Sequence, residues 1–128
     1  MVGKGARAST TRIDALRSLA LLHRRARRFE DAAASWQQLL AVPGCPPGVV
    51  REAGEALSIH HEHRVRDLTV AKAFALRSLD AVASNDEGPR PQWTEALQHR
   101  VRRIEKKINK SQVSRLNSQG AGLLRLES

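Results

Sequence analysis

The residues of this chain with the widest chemical repertoire stand together in "HHEHR", residues 60–64. His60 and His63 are one helical turn apart, with His61 and Glu62 between them. Neutral imidazoles at that spacing can share a metal ion. A zinc site takes three or four protein ligands, however, and the H-E-x-x-H spacing that adds a general base to two histidines is absent. A structural role is the alternative: His61 falls on an apolar helix face, and Glu62 stands four residues before Arg66, the order that favours a helix ion pair worth roughly 0.2–0.5 kcal/mol. His23 has no second titrating group at a spacing suited to acid–base work, so packing against Trp36 or Phe29 is expected of it. No Ser–His–Asp arrangement and no phosphate-cradling glycine loop is signalled. Trp36 and Trp93 fall on apolar stripes, where a tryptophan belongs to a core. Cys45, the single cysteine, sits in a proline-rich loop with no basic neighbour in sequence to lower its pKa. The expectation is a protein with no catalysis, no metal and no cofactor.

What stands out instead is charge. The formal net charge is +9, and the cations gather in two places: Arg24, Arg25, Arg27 and Arg28 form one cluster, and Arg102, Arg103, Lys106 and Lys107 form another, with a near-neutral stretch between. Several phosphate contacts from such clusters would produce a strongly salt-dependent affinity for nucleic acid. Aromatic residues make up only 3% of the chain, so any such binding is expected to be backbone-directed and tolerant of sequence. The first cluster also has a purely structural explanation, since cations favour the C-terminal end of a helix and the turn after it faces water.

At 128 residues the chain is the size of one domain. Its apolar residues are mostly Ala, Leu and Val, which with the scarcity of aromatics predicts an all-α fold around a finely packed aliphatic core. Thr10 or Thr11 followed by Asp14 reads as a helix start, and Ile13, Leu16, Leu19, Ala20 and His23 continue one amphipathic helix over about 11–27. Phe29, Ala32, Ala33, Trp36, Leu39 and Leu40 make a second, stopped by "VPGCPPG". A third covers about 48–64, and a fourth about 68–83 through Val70, Ala71, Phe74, Leu76, Leu79 and Val82. "SNDEGPRP" ends it, and a fifth runs over about 91–110 on the stripe Trp93, Leu97, Val101, Ile104 and Ile108. This divides the chain into a flexible N-terminus (1–10), one helical domain (11–110) and a polar tail (111–128), in which "LLRL" could dock. One cysteine and the absence of any apolar run near the length of a membrane span predict a soluble, cytoplasmic protein with no membrane partner.

The rhythm of hairpin, breaker, hairpin and closing helix is that of an α-solenoid. Leu16, Leu19, Ala20, His23, Phe29, Ala32, Trp36, Leu39 and Pro43 closely resemble the tetratricopeptide signature. His23 stands where that family usually has Tyr, Arg27 where it has Gly and Leu39 where it has Ala. The second unit is degenerate. Setting Ala71 on Ala32 gives a period of 39 against the usual value of about 34, and Leu57, Ser58 and His61 reach the first-helix positions only with a one-residue insertion in "HHEHRVRDL".

Three stretches in order, "LALLHRRARRFEDAAASWQQLL", "HHEHRVRDLTVAKAFALRSL" and "QHRVRRIEKKI", carry a more particular resemblance. Over about residues 15–108 the chain resembles the helical-repeat region that follows the exonuclease domain in some bacterial ribonuclease H-like proteins. Those proteins hold their activity in a separate α/β domain with metal-binding carboxylates, of which no pattern occurs here, so the resemblance implies an accessory part. The expected function is a non-catalytic helical-repeat interaction module that mediates protein–protein binding or assembly. The alternative is a basic nucleic-acid-binding accessory of such a nuclease system. Geometry discriminates them: a nucleic-acid surface would bring the arginines of the first turn and the cations of the last helix to one face, whereas a peptide groove would present cations from the first helices inward. The identity of the partner and the oligomeric state stay open.

Overall fold

The computed structural model describes the backbone of residues 2–84 and 90–127, and the side chains of 9–84 and 90–116. It is all-helical, with no strand among the described residues. Five α-helices follow one another: α1 (Val2–Arg25), α2 (Phe29–Leu40), α3 (Pro47–His60), α4 (Leu68–Ala83) and α5 (Pro91–Glu127). A π-helical turn, His61–Val65, is continuous with the end of α3. Each helix packs mainly on its neighbour in the chain, so the molecule is a succession of antiparallel pairs.

Local chemistry accounts for most of the boundaries. Glu30 and Asp31 lie in the first turn of α2, where carboxylates complement the helix dipole. Pro47 opens α3 at a position where a missing N–H costs nothing. Asp67 caps α4 by accepting from the Val70 amide at 3.2 Å. Two boundaries differ from expectation. α1 begins at Val2, so Thr10 and Thr11 lie inside a helix rather than at its start, and α5 continues beyond Lys110 through the stretch expected as a polar tail. Neither extension contains a proline, and both supply Ala, Leu, Arg or Gln, residues with good helix propensity. The turn expected within 84–91 falls mostly on residues 85–89, outside the described residues, as do the side chains of "LLRL".

The two hairpins turn in the same way. After α1, Arg27 adopts a left-handed conformation (φ +59°), and the Arg28 amide donates to the His23 carbonyl at 2.8 Å while the Arg27 amide donates to that of Arg24 at 3.0 Å. After the π turn, Arg66 adopts the same conformation (φ +62°), and the Asp67 amide donates to the His61 carbonyl at 2.8 Å. The second turn thus holds one residue more than the first. A π turn is a one-residue insertion into a helix, and it lies within "HHEHRVRDL".

The core runs along the chain. Ile13 and Ala20 of α1 meet Ala33, Trp36, Leu39 and Leu40 of α2, with Ala53 and Leu57 of α3. α3 and α4 approach closely across small residues. Gly54 lies against Ser78 and the Phe74 carbonyl, and Ser58 and Ser78, both fully buried, donate to the carbonyls of Ala71 (2.8 Å) and Arg51 (2.9 Å). Here the apolar stripe expected for the fourth helix is corrected: Leu76 faces water, and Ala75 and Ser78 take the inner positions, because only small side chains fit that seam. Leu97, Val101 and Ile104 seal α5 onto α4.

Candidate functional site

Short turns make neighbouring helices antiparallel, so the α1–α2 and α3–α4 turns lie at one end of the molecule, and α5 runs back towards it. Side-chain contacts tie the three together. The Arg64 guanidinium sits over the Phe29 ring, 3.3 Å from its centre, joining the second turn to the first. Two residues earlier, Glu62 accepts from Arg103 (2.8 Å) and Lys107 (2.6 Å), with Arg100 at 3.4 Å, joining the π turn to α5.

Glu62 is buried, its side chain fully so, and its carboxylate is the hub of this end. Burial pushes its pKa up, but the hydrogen bonds from Lys107 and Arg103 and their positive charges outweigh that, and the net shift is downward. The helix pair expected between Glu62 and Arg66 does not form. The π turn and the left-handed Arg66 rotate the arginine away, and Glu62 finds partners 38 to 45 residues along the chain instead.

The eight cations singled out in the sequence therefore separate. Arg24, Arg25, Arg27 and Arg28 are all exposed, and among the described residues no carboxylate pairs with them. Arg103 and Lys107 serve Glu62, while Arg102 and Lys106 are exposed, without an ion pair, on the outer side of α5. Arg66, unremarked in the sequence beyond its spacing from Glu62, adds another exposed, unpaired cation to the turn end. The acidic groups near that end other than Glu62 include Glu30 and Asp31, in the first turn of α2, the capping Asp67, and Glu105 of α5, which pairs with Lys72 at 3.3 Å. One cation in the first helix of each pair is engaged internally. Arg17 bonds Glu52 at 2.8 Å, and Arg51 bonds Glu55 at 2.6 Å while lying 4.1 Å from the Trp93 ring centre.

Beside the Phe29–Arg64 contact a cleft of about 200 Å³ opens between the end of α1, α2 and α3. Phe29, Trp36 and Ile59 wall it, small alanines form its floor, and Arg24, His60 and Arg64 stand at its rim. Desolvation pushes the His60 pKa down, the nearby His61 and Arg64 add to that, and Glu30 opposes it.

The other residues noted in the sequence take structural positions. His61 stacks on Phe74 (ring centres 5.4 Å apart, planes at 18°) and touches His60 edge-on. Among the described residues, no group of three or more His, Cys, Asp or Glu is placed to hold a metal ion. Leu57, Ala20 and Ala71 are fully buried and Trp36 and Ala32 nearly so; Leu16 is partly buried, and Leu19 is 42% exposed. Trp93, expected in the core, is only half-buried, held between Arg51 and Arg90. Burial pushes the Cys45 thiol up, with Arg77 opposing.

The residues that sequence reasoning underrated are Glu62 and Arg64. The available signal was an acidic residue inside a helix break rich in histidine and arginine, and its partners lie too far along the chain to be read from spacing. Comparison with known protein families, curated proteins and solved structures finds no match. No described helix is long and apolar enough to cross a membrane.

Proposed function

We propose that this chain is a non-catalytic helical-repeat interaction module: two tetratricopeptide-like hairpins, α1–α2 and α3–α4, closed by α5 as a basic capping helix, and acting by binding a polyanion at the turn end. Nucleic-acid backbone is the chemistry that end fits best. The observation that carries this reading is the set of five exposed arginines, Arg24, Arg25, Arg27, Arg28 and Arg66, that two successive turns bring to one end with no carboxylate partner among the described residues. Unpaired guanidinium groups on a rigid frame can take phosphate oxygens without first breaking an ion pair. The cations of α1 and α3 that would clamp a peptide carboxylate, Arg17 and Arg51, are already bonded to glutamates.

Titration of labelled DNA and RNA with the full chain, followed by fluorescence anisotropy at about 50 and 200 mM salt, tests this. Several phosphate contacts lower the affinity by orders of magnitude across that range. No binding at the lower salt removes the reading. A protein partner is the second reading, and Val113 and Leu116 favour it, since both are more than half exposed on the part of α5 beyond the stripe that seals it onto α4. Retention of a defined complex by the wild-type chain and its loss on Leu116→Asp would support that reading.

A further inference from the structure

We propose that the cleft between α1, α2 and α3 receives one unstacked base of a single-stranded nucleic acid whose phosphates lie on the surrounding arginines. This rests on the polyanion reading and adds to it a preference for single strands. Three features of the cleft carry it. Its walls are apolar and aromatic, and one of them, Ile59, is 44% exposed, so the recess opens to solvent. Its floor of Ala32, Ala33 and Ala56 leaves room that larger residues would fill.

The second feature is a stack already in place. The Arg64 guanidinium carbon lies over Phe29, 3.3 Å from the ring centre, and single-stranded bases are held by aromatic rings and by guanidinium planes alike. The Phe29–Arg64 pair is a platform to which a base adds a third layer, while the same guanidinium bonds a flanking phosphate. The third feature is continuity. Arg24 and Arg64 at the rim belong to the same end as the exposed Arg25, Arg27 and Arg28, so a strand whose base enters the cleft has cations along its backbone on leaving it. A peptide side chain would suit the apolar walls but would not use that row. His60 at the rim, whose pKa is lowered, stays neutral at physiological pH and can both donate to and accept from a base edge.

The test uses the full chain carrying Trp93→Phe, so that Trp36, in the cleft wall, is the only tryptophan. The probes are a uridine strand of about 12 nucleotides, the same strand paired with its complement, and an abasic strand of equal length. The expected result is quenching of Trp36 by the uridine strand alone and an affinity for it about tenfold above the other two, the worth of one stacked base. Ala56→Leu, which fills the recess without changing charge, and Ile59→Asn, at a half-exposed position, remove the quenching and the preference. They leave the salt-dependent affinity for duplex in place and keep the native circular dichroism.

Equal, salt-dependent affinity for all three probes overturns the cleft assignment and leaves the basic end standing. Absence of binding to any probe at low salt overturns both. Displacement of the bound strand from the cleft by an acidic, leucine-containing peptide that binds more tightly assigns the cleft to a protein partner and overturns the proposal as well.

Discussion

Glu62 shows how one side chain can hold together elements that spacing alone would not connect. It is the only buried charge among the described residues, and its three arginine and lysine partners all come from α5. Replacing it with Gln leaves those cations around a neutral amide. The expected loss is about 2 kcal/mol in urea unfolding, less than for a fully buried pair because Arg103 and Lys107 are more than 40% exposed. The sign of the pH dependence follows from the lowered pKa of Glu62. Its stabilisation is complete above the ordinary carboxylate value of about 4.3 and is lost as the pH falls through the lower, folded-state value. His60 acts in the same sense at higher pH. Its folded pKa lies below the ordinary value, so stability is complete above about 6.5 and declines on acidification. Urea midpoints measured from pH 8 downwards are expected to fall in two steps, the first absent in His60→Asn and the second reduced in Glu62→Gln. A left-handed arginine is the other local feature with a testable cost. Arg27→Gly removes the clash of a Cβ at φ +59° but loosens the unfolded chain. The net gain is about 0.5 kcal/mol, with a salt slope of nucleic-acid binding smaller by about 1. Higher stability with weaker binding would mark Arg27 as retained for its charge.

Among the elements, α3 and α4 depend most on small residues. An added Cβ at Gly54 would press on Ser78 and on the Phe74 carbonyl, which is backbone and cannot swing aside. Gly54→Ala is therefore expected to destabilise by about 1–3 kcal/mol, and thermal unfolding followed by circular dichroism measures it. A gain in Tm would mean that the seam is looser than described. That seam was the part of the fold hardest to read from the sequence, because period counting rewards large apolar residues and so favours Leu76 over Ala75 and Ser78. The helices themselves were legible, since prolines and glycines separate α2 from α3 and apolar residues recur with helical period within each. The start of α1 and the far end of α5 were not, because those stretches are polar, lack a sustained apolar period and contain glycines that read as breakers.

For the molecule as a whole, the distribution of charge decides what it can meet. The basic end is a concentration of like charge that favours anionic partners and is screened by salt. Changing Arg24, Arg25 and Arg28 together to Gln is expected to reduce the salt slope by about 3, roughly 1 for each phosphate that no longer meets a guanidinium. Arg77→Gln, near Leu40 at the opposite end, is expected to leave it unchanged, and a similar reduction for both would show a diffuse attraction with no defined face. Helical class, the helical pairs and the two basic clusters are properties of local composition and period, which is why the amino-acid order alone reveals them. Which cations stay available is not a local property. Arg103 and Lys107 look the same in sequence as Arg102 and Lys106, yet one pair is held by Glu62 and the other has no ion pair among the described residues. The difference arises because antiparallel packing carries α5 back past the π turn, and a buried carboxylate is stable only where such packing brings cations to it.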